Sequence, residues 1–331
     1  MFLAYTSFAV RLRQGRDAGH GPAAALGASS MQALCTRFGT AGGQIDCTQL
    51  PMGDMAALAG VRGAFDGDSL GIELSIPARY LESPEAYGQA VQTARALGVS
   101  RARVALLPGR RYETFASRDD WRAFADHWEA TLVRMRPAFD RHGLQIGIEN
   151  HKDWLADELV ALLRAIDSPY VGACVDFGNN LALLEDPDET IALLAPYAVT
   201  THLKDMAVRT TPDGFELSEV PLGTGLLPLE HYIATIRRAR PMVHFCLEML
   251  TRDPLSVPYR RDEYWRTFET MARDPARVRR FETRVLSHAR DAPLPRISGL
   301  APHVQLAAED DNVRTSVAWA RDVLPREVPA A

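Results

Sequence analysis

Short apolar, β-rich runs alternate with helical stretches along the chain, a pattern that predicts a parallel sheet covered by helices. The runs predict eight strands, near residues 3–10, 43–47, 70–76, 102–107, 145–149, 171–176, 199–204 and 243–248. Helices are predicted between them, among others at 83–97, 119–141, 156–166, 187–195 and 228–240. Eight strand-helix units in about 250 residues is the size of a (β/α)8 TIM barrel. Caps fix some boundaries. Ser83-Pro84-Glu85 opens one helix with a capping serine and a proline at its first position, and Gly98 closes it. Arg141-His142-Gly143 ends another with cations and a glycine.

Two segments exceed a minimal barrel. Residues 14–30 are rich in glycine and alanine and are expected to form a loop over the rim. Residues 208–225 contain Thr210-Thr211-Pro212-Asp213-Gly214, a turn signal between two short strands. About 80 residues follow the eighth strand. Residues 259–289 read as one or two helices, Pro293-Leu294-Pro295 breaks the pattern, and 307–324 gives a last helix. The expected organisation is therefore a catalytic barrel over 1–255 and a C-terminal helical extension over 256–331, packing on the barrel or on a partner subunit, with a homo-oligomer as one arrangement.

Four of the apolar runs end abruptly in chemistry: Ile148-Glu149-Asn150-His151, Val175-Asp176, Thr201-His202-Leu203-Lys204 and Leu247-Glu248. In a parallel barrel the C-terminal strand ends converge on one rim. Acids gathered there would repel one another without a cation. Glu149, Asp176, His202 and Glu248 are therefore expected to hold one divalent metal ion. Three carboxylates and an imidazole suit Mn2+ first, with Mg2+, Co2+ and Zn2+ as alternatives. Residues two apart in a strand share a face, which places His151 above Glu149 and Lys204 above His202. There His151 could serve as general acid or base and Lys204 could hold an oxyanion. The competing reading of Lys204 is an ion pair with Asp205.

The 331 residues are 47% hydrophobic and carry a formal net charge of -5, with a sequence pI near 6.0. Nothing in that balance calls for nucleic acid or a membrane surface. Basic clusters such as Arg277-Val278-Arg279-Arg280 are interleaved with acids and read as a solvated helix face. No uninterrupted apolar stretch is long enough to span a bilayer, and the apolar start lacks the features of a signal peptide. Cys35, Cys47, Cys174 and Cys246 lack metal-type spacing, so free thiols and a cytoplasmic location are expected.

Together with Val175-Asp176-Phe177-Gly178-Asn179 and Pro221-Leu222-Gly223-Thr224-Gly225, these strand ends resemble the xylose isomerase-like TIM-barrel superfamily, in its sugar phosphate isomerase/epimerase branch. The resemblance covers about residues 1–255. It implies that Glu149, Asp176, His202 and Glu248 are the metal ligands and that Glu149 and Glu248 exchange protons with a sugar substrate. Two positions depart from the ketose 3-epimerases, which usually carry a histidine where this chain has Asn179 and an arginine where it has Thr224. Arginines such as Arg110 and Arg111, after the fourth strand, are no more than candidate anion contacts. The expected function is a metal-dependent sugar isomerase or epimerase. The alternatives are a lyase or dehydratase on oxo-sugars or 3-oxo-glycosides, and a noncatalytic metal-binding subunit.

Overall fold

A computed structural model describes residues 1–19, 26–269 and 273–324. Strands β1 (Phe2–Ala4), β2 (Gly42–Asp46), β3 (Gly71–Ser75), β4 (Arg101–Val104), β5 (Gln145–Glu149), β6 (Val171–Asp176) and β7 (Ala198–Leu203) run in parallel around a ring. After β7 the chain leaves the ring for an antiparallel hairpin, β8 (Asp205–Thr211) and β9 (Gly214–Val220), and returns as β10 (His244–Leu247). Pairing of β10 with both β7 and β1 closes an eight-stranded barrel, and β11 (Leu255–Val257) adds a third strand to the hairpin. The chain thus folds as a TIM barrel.

The helices are α1 (Ala9–Asp17), α2 (Ala28–Phe38), α3 (Met55–Gly67), α4 (Pro84–Ala96), α5 (Arg118–His142), α6 (Ala156–Ile166), α7 (Pro187–Leu194), α8 (Leu229–Ala239), α9 (Pro275–Arg284) and α10 (Pro302–Val323). α5 shows why such a segment is helical. Ser117 Oγ accepts the Asp120 amide at 3.1 Å, Asp119 and Asp120 sit at the positive end of the dipole, and Gly143 ends the helix at φ 70. Trp121, Trp128, Leu132, Met135 and Phe139 form the buried stripe, each stabilising the fold by roughly 1.5–3 kcal/mol. At the Ser83 cap the hydroxyl accepts Ala86 N at 3.2 Å, as expected.

Close strand packing is set by small residues. A Cβ on Gly172 would lie 2.2 Å from the Tyr197 carbonyl oxygen, so β6 and β7 could not approach with any other residue there. Beside it a register shift between Ala173 and Cys174 brings Asp176 opposite His202.

Three expectations change. The first strand is only three residues long; Tyr5–Phe8 turns in a 3-10 helix and α1 starts at Ala9. The reason is tertiary: Thr6 and Ser7 turn inward to hydrogen-bond Glu248 and Leu247 O, at 2.8 Å each. Residues 14–17 and 28–30 are helical rather than loop, belonging to α1 and α2, and residues 20–25 lie outside the described residues. The last helix begins at Pro302, a good first residue because its missing N–H has no partner there anyway.

α10 lies over the rim. Glu309 accepts Val10 N at 2.6 Å and Arg11 Nη1 at 2.5 Å; Ser316 Oγ accepts Leu222 N at 3.2 Å; Asn312 Nδ2 donates to Thr251 Oγ1 at 2.9 Å. Those partners lie in α1, which follows β1, and in the loops after β9 and β10. Among the described residues no helix is long and apolar enough to cross a membrane. The four cysteines are free and buried.

Candidate metal centre

The strand ends converge as expected. Glu149, Asp176, His202 and Glu248 are all buried, and each offers one ligand atom within 4.8 Å of the other three. His202 Nδ1 stands 3.3 Å from Glu149 Oε1, 3.4 Å from Glu248 Oε1 and 3.9 Å from Asp176 Oδ2. Atoms bound to one cation at about 2.1 Å sit ~3 to 4.2 Å apart, so these spacings suit a shared ion.

Two of these atoms, His202 Nδ1 and Asp176 Oδ2, are buried and receive no hydrogen bond. Lys204 Nζ stands 2.8 Å from Asp176 Oδ2, an ion pair whose angles do not make a hydrogen bond. At the other edge of the ring, His202 Nε2 meets Gln44 Oε1 at 2.9 Å, and Gln44 Nε2 donates to Glu73 at 2.7 Å. An amide oxygen can only accept, so Nε2 carries the proton and the Nδ1 lone pair faces the three acids. Asn150 holds Asp176 from both sides of its backbone, and Gly178 N and Asn179 N donate to Asp176 Oδ1 at 2.9 and 2.7 Å. This donor set, oxygen-rich with one imidazole nitrogen, fits a divalent cation.

The charges agree. Burial alone would raise the Glu149 carboxyl, but the Arg103 guanidinium, foremost, and His202 hold it well below the usual range. Burial likewise opposes ionisation of Glu248, and His202 and Lys204 overcome it. Asp176 is raised, by burial first and then by its two carboxylate neighbours, against Lys204. His202 is raised to about 9; burial acts against this, and Glu248 and Glu149 prevail. A cation would take over the role of that proton. Cys174 also lies near Glu149 and His202, but burial and Glu149 keep its thiol protonated.

Above the four side chains opens a cavity of about 680 Å3, lined by His151 and Lys204, as expected, together with Arg79, Arg103, Lys152 and Arg252. Lys204 Nζ donates to Glu248 Oε2 at 2.5 Å. Its expected alternative partner, Asp205, is engaged elsewhere: its oxygens collect the amides of Met206, Gly223, Gly225 and Leu227 at 2.8–3.2 Å. His151 Nδ1 meets Leu107 O at 2.9 Å and so carries the proton, which leaves Nε2 as an acceptor. Burial, ahead of the attraction of Glu149, pushes the imidazole down to about 3. It is neutral and a weak base, suited to accept a hydrogen bond through Nε2.

Other expectations move. Thr224 is exposed and its hydroxyl donates to Pro221 O at 2.7 Å, so the Gly-x-Gly loop clasps Asp205 and does not grip a ligand through Thr224. Arg111 is buried between the rings of Trp121 and Phe268 and bonded to Glu158 and Thr267 O, each at 2.7 Å; it is a packing residue, not an anion contact. Arg110 lines the cavity and pairs with Glu113. Four residues escaped the sequence reading: Gln44, which orients His202; Arg103, which grips Glu149; Lys152; and Asn179 in its observed role, donating to Glu149 Oε1 at 3.0 Å and accepting from both lysines. Arg103 left a signal, a charge flanked by Ala102 and Val104 within a predicted strand.

A parallel eight-stranded barrel with an acid-and-imidazole cluster at its strand ends defines the class. The chain belongs to the xylose isomerase-like TIM barrel family, whose model matches residues 59–273. Over 110 residues, 33% of this chain and 40% of the relative, it is 39% identical to the 3-oxo-isoapionate decarboxylase of Pectobacterium atrosepticum. Over 99 residues, 30% of each, it is 27% identical to the uncharacterized protein YihM of Escherichia coli. These matches thus span less than half of either relative. Among solved structures, the chain is similar to a xylose isomerase-like TIM barrel protein from Mycobacterium smegmatis in complex with magnesium, with TM-score 0.59, 18% identity, and coverage of 81% of this chain and 95% of that one. It is also similar to a D-psicose 3-epimerase in the presence of D-fructose, with TM-score 0.57, 14% identity, and coverage of 88% and 92%. At such identities the likeness is one of fold.

Proposed function

We propose that this chain is a divalent-metal-dependent lyase acting on an oxo-sugar derivative, with Glu149, Asp176, His202 and Glu248 as the metal ligands and Mn2+ as the preferred ion. The observation that carries this reading is the pairing of both glutamates. Arg103 holds Glu149 and Lys204 holds Glu248 as ionised carboxylates. Neither is poised to gain and lose protons at carbon, which an epimerase would ask of them. The identity shared with a decarboxylase supports the same reading.

A divalent cation in this cage would supply a Lewis acid to the substrate carbonyl. The protein's own groups do the rest. The cavity takes up the substrate. Lys204, charged and on the cavity wall, directs its ammonium toward negative charge growing on a substrate oxygen. Where the group lost is a carboxylate next to the carbonyl carbon's neighbour, the C–C bond breaks, its electron pair moves onto the carbonyl oxygen, and carbon dioxide leaves. A proton then adds at carbon, and Lys204 is the donor nearest the cage. His151, neutral, accepts a hydrogen bond from a substrate hydroxyl through Nε2.

A sugar isomerase or epimerase is the second reading. Glu149 Oε1 and Glu248 Oε1 both stand beside His202 Nδ1, on two sides of one site, the arrangement that two proton-exchanging carboxylates need. Proton NMR in D2O on the Mn2+-loaded protein separates the readings, with oxo-sugars, their acids, ketoses and 3-oxo-glycosides as substrates. Release of carbon dioxide, water or an aglycone supports the lyase. Deuterium beside an intact carbonyl and skeleton establishes the isomerase and refutes the lyase.

A further inference from the structure

Lys152 stands three residues beyond Glu149, and its backbone occupies the left-handed region, φ 70, which is uncommon and costly for a residue with a Cβ. Its side chain is only 4% exposed, yet it lines the cavity above the metal cage. Other buried or half-buried cations around it have an acid: Lys204 has Asp176 and Glu248, Arg103 has Glu149, Arg111 has Glu158 and Arg252 has Glu219. Among the described residues, no carboxylate lies within ion-pair distance of the Lys152 ammonium. Its hydrogen-bond partner is the neutral amide oxygen of Asn179, which also accepts from Lys204 at 3.4 Å. A buried, unpaired ammonium facing a cavity is stabilised by an anion that enters it.

We propose that Lys152 anchors the carboxylate of the substrate, so that this site selects oxo-sugar acids over neutral oxo-sugars. The inference rests on the enzymatic reading above and deepens it by naming the substrate class. Asn179 Oδ1, shared by the two lysines, sets the placement: one ammonium touches the acids of the cage, and the other stands one hydrogen-bonded link away, on the cavity side. Burial first, then Lys204 and Arg252, pushes the Lys152 ammonium down to about 8, which leaves it charged at neutral pH. A product that has lost its carboxylate as carbon dioxide also loses this anchor, which favours its release.

The test compares two matched probes, D-gluconate and D-glucitol, by calorimetric titration of the wild type, Lys152→Gln and Lys152→Gly, each with and without Mn2+. Glycine adopts φ 70 freely, so Lys152→Gly keeps the backbone and removes the ammonium. The wild type should bind gluconate about tenfold or more tighter than glucitol. Both variants should lose that preference and keep their affinity for glucitol and for Mn2+. A wild type without the preference, or a preference that survives in both variants, overturns the anchor. Failure of the enzymatic reading looks different: the Lys152-dependent preference would be present while no oxo-sugar acid is turned over. Turnover of a neutral oxo-sugar that neither substitution touches would sink the anchor alone.

Discussion

Gln44 Oε1 accepts the Nε2 proton of His202 at 2.9 Å, and this one contact points the imidazole's Nδ1 lone pair at Glu149, Asp176 and Glu248. Without it the ring could rotate or change tautomer. Gln44→Leu should therefore weaken Mn2+ binding by roughly 10- to 100-fold while the barrel stays folded. A Mn2+ titration followed by electron paramagnetic resonance, beside a circular dichroism melt, checks both parts. Unchanged affinity would remove Gln44 from the site.

Metal binding should also register as stability. At a free Mn2+ concentration 100 times Kd, binding to the folded state alone adds about 2.7 kcal/mol. For a chain of this length that raises Tm by on the order of 5 °C. Chelator should reverse the shift. Asp176→Asn should show little of it, because a neutral amide replaces the carboxylate oxygen left without a hydrogen bond inside the cage.

Arg103 and Glu149 form a fully buried ion pair, with a second guanidinium nitrogen donating to Ser75 Oγ at 3.1 Å. Arg103→Met leaves the glutamate's charge without its partner, at a cost of roughly 3–5 kcal/mol to the metal-free fold. Mn2+ should recover much of that loss, so the metal-induced rise in Tm should be larger in the variant than in the wild type. A rise of equal or smaller size would contradict the proposed sharing of Glu149 between guanidinium and metal.

Three buried carboxyls titrate high. Burial pushes Asp153, Glu185 and Glu309 up to about 7 from unfolded values near 3.8, 4.5 and 4.5. Between those limits the folded chain holds protons that the unfolded chain has lost. Their contribution to stability is therefore full below the unfolded values and is lost as pH rises through 7. Metal-free Tm should fall between pH 5 and pH 8. Asp153 Oδ2, buried without a partner, identifies one source, and Asp153→Asn should flatten the decline. Parallel curves for the two proteins would rule Asp153 out.

The ring and the cluster of acids and imidazole at its strand ends were legible because strand ends are marked twice, by an apolar run and by the charge that interrupts it. β5 and β6 match their expected bounds, and β7 and β10 lie within a residue of theirs. The hairpin after β7 was legible too, from Pro212-Asp213-Gly214. What escaped is set by tertiary contact. Phe8 and Val10 continue an apolar run, and only the packing of Thr6, Ser7 and α10 turns that run into a helix. Lys204 and Asp205 are adjacent in sequence, yet alternation sends one into the cage and the other under the Pro221–Gly225 loop. Arg111 carries a charge that nothing local pairs, since Glu158 and the Thr267 carbonyl come from far along the chain.

The clasp between Val10 and Glu309 joins residues 299 positions apart, and β1 meets β10 across a comparable span. Contacts of such sequence separation form late, since the loop between them must close before they reward it. During synthesis the strands bearing Glu149, Asp176, His202 and Glu248 emerge from the ribosome well before α10 does. The proposed metal site can therefore assemble while the mouth above it is still unfinished. For the ion proposed above, loading can precede closure of the rim, an order set by the position of one helix.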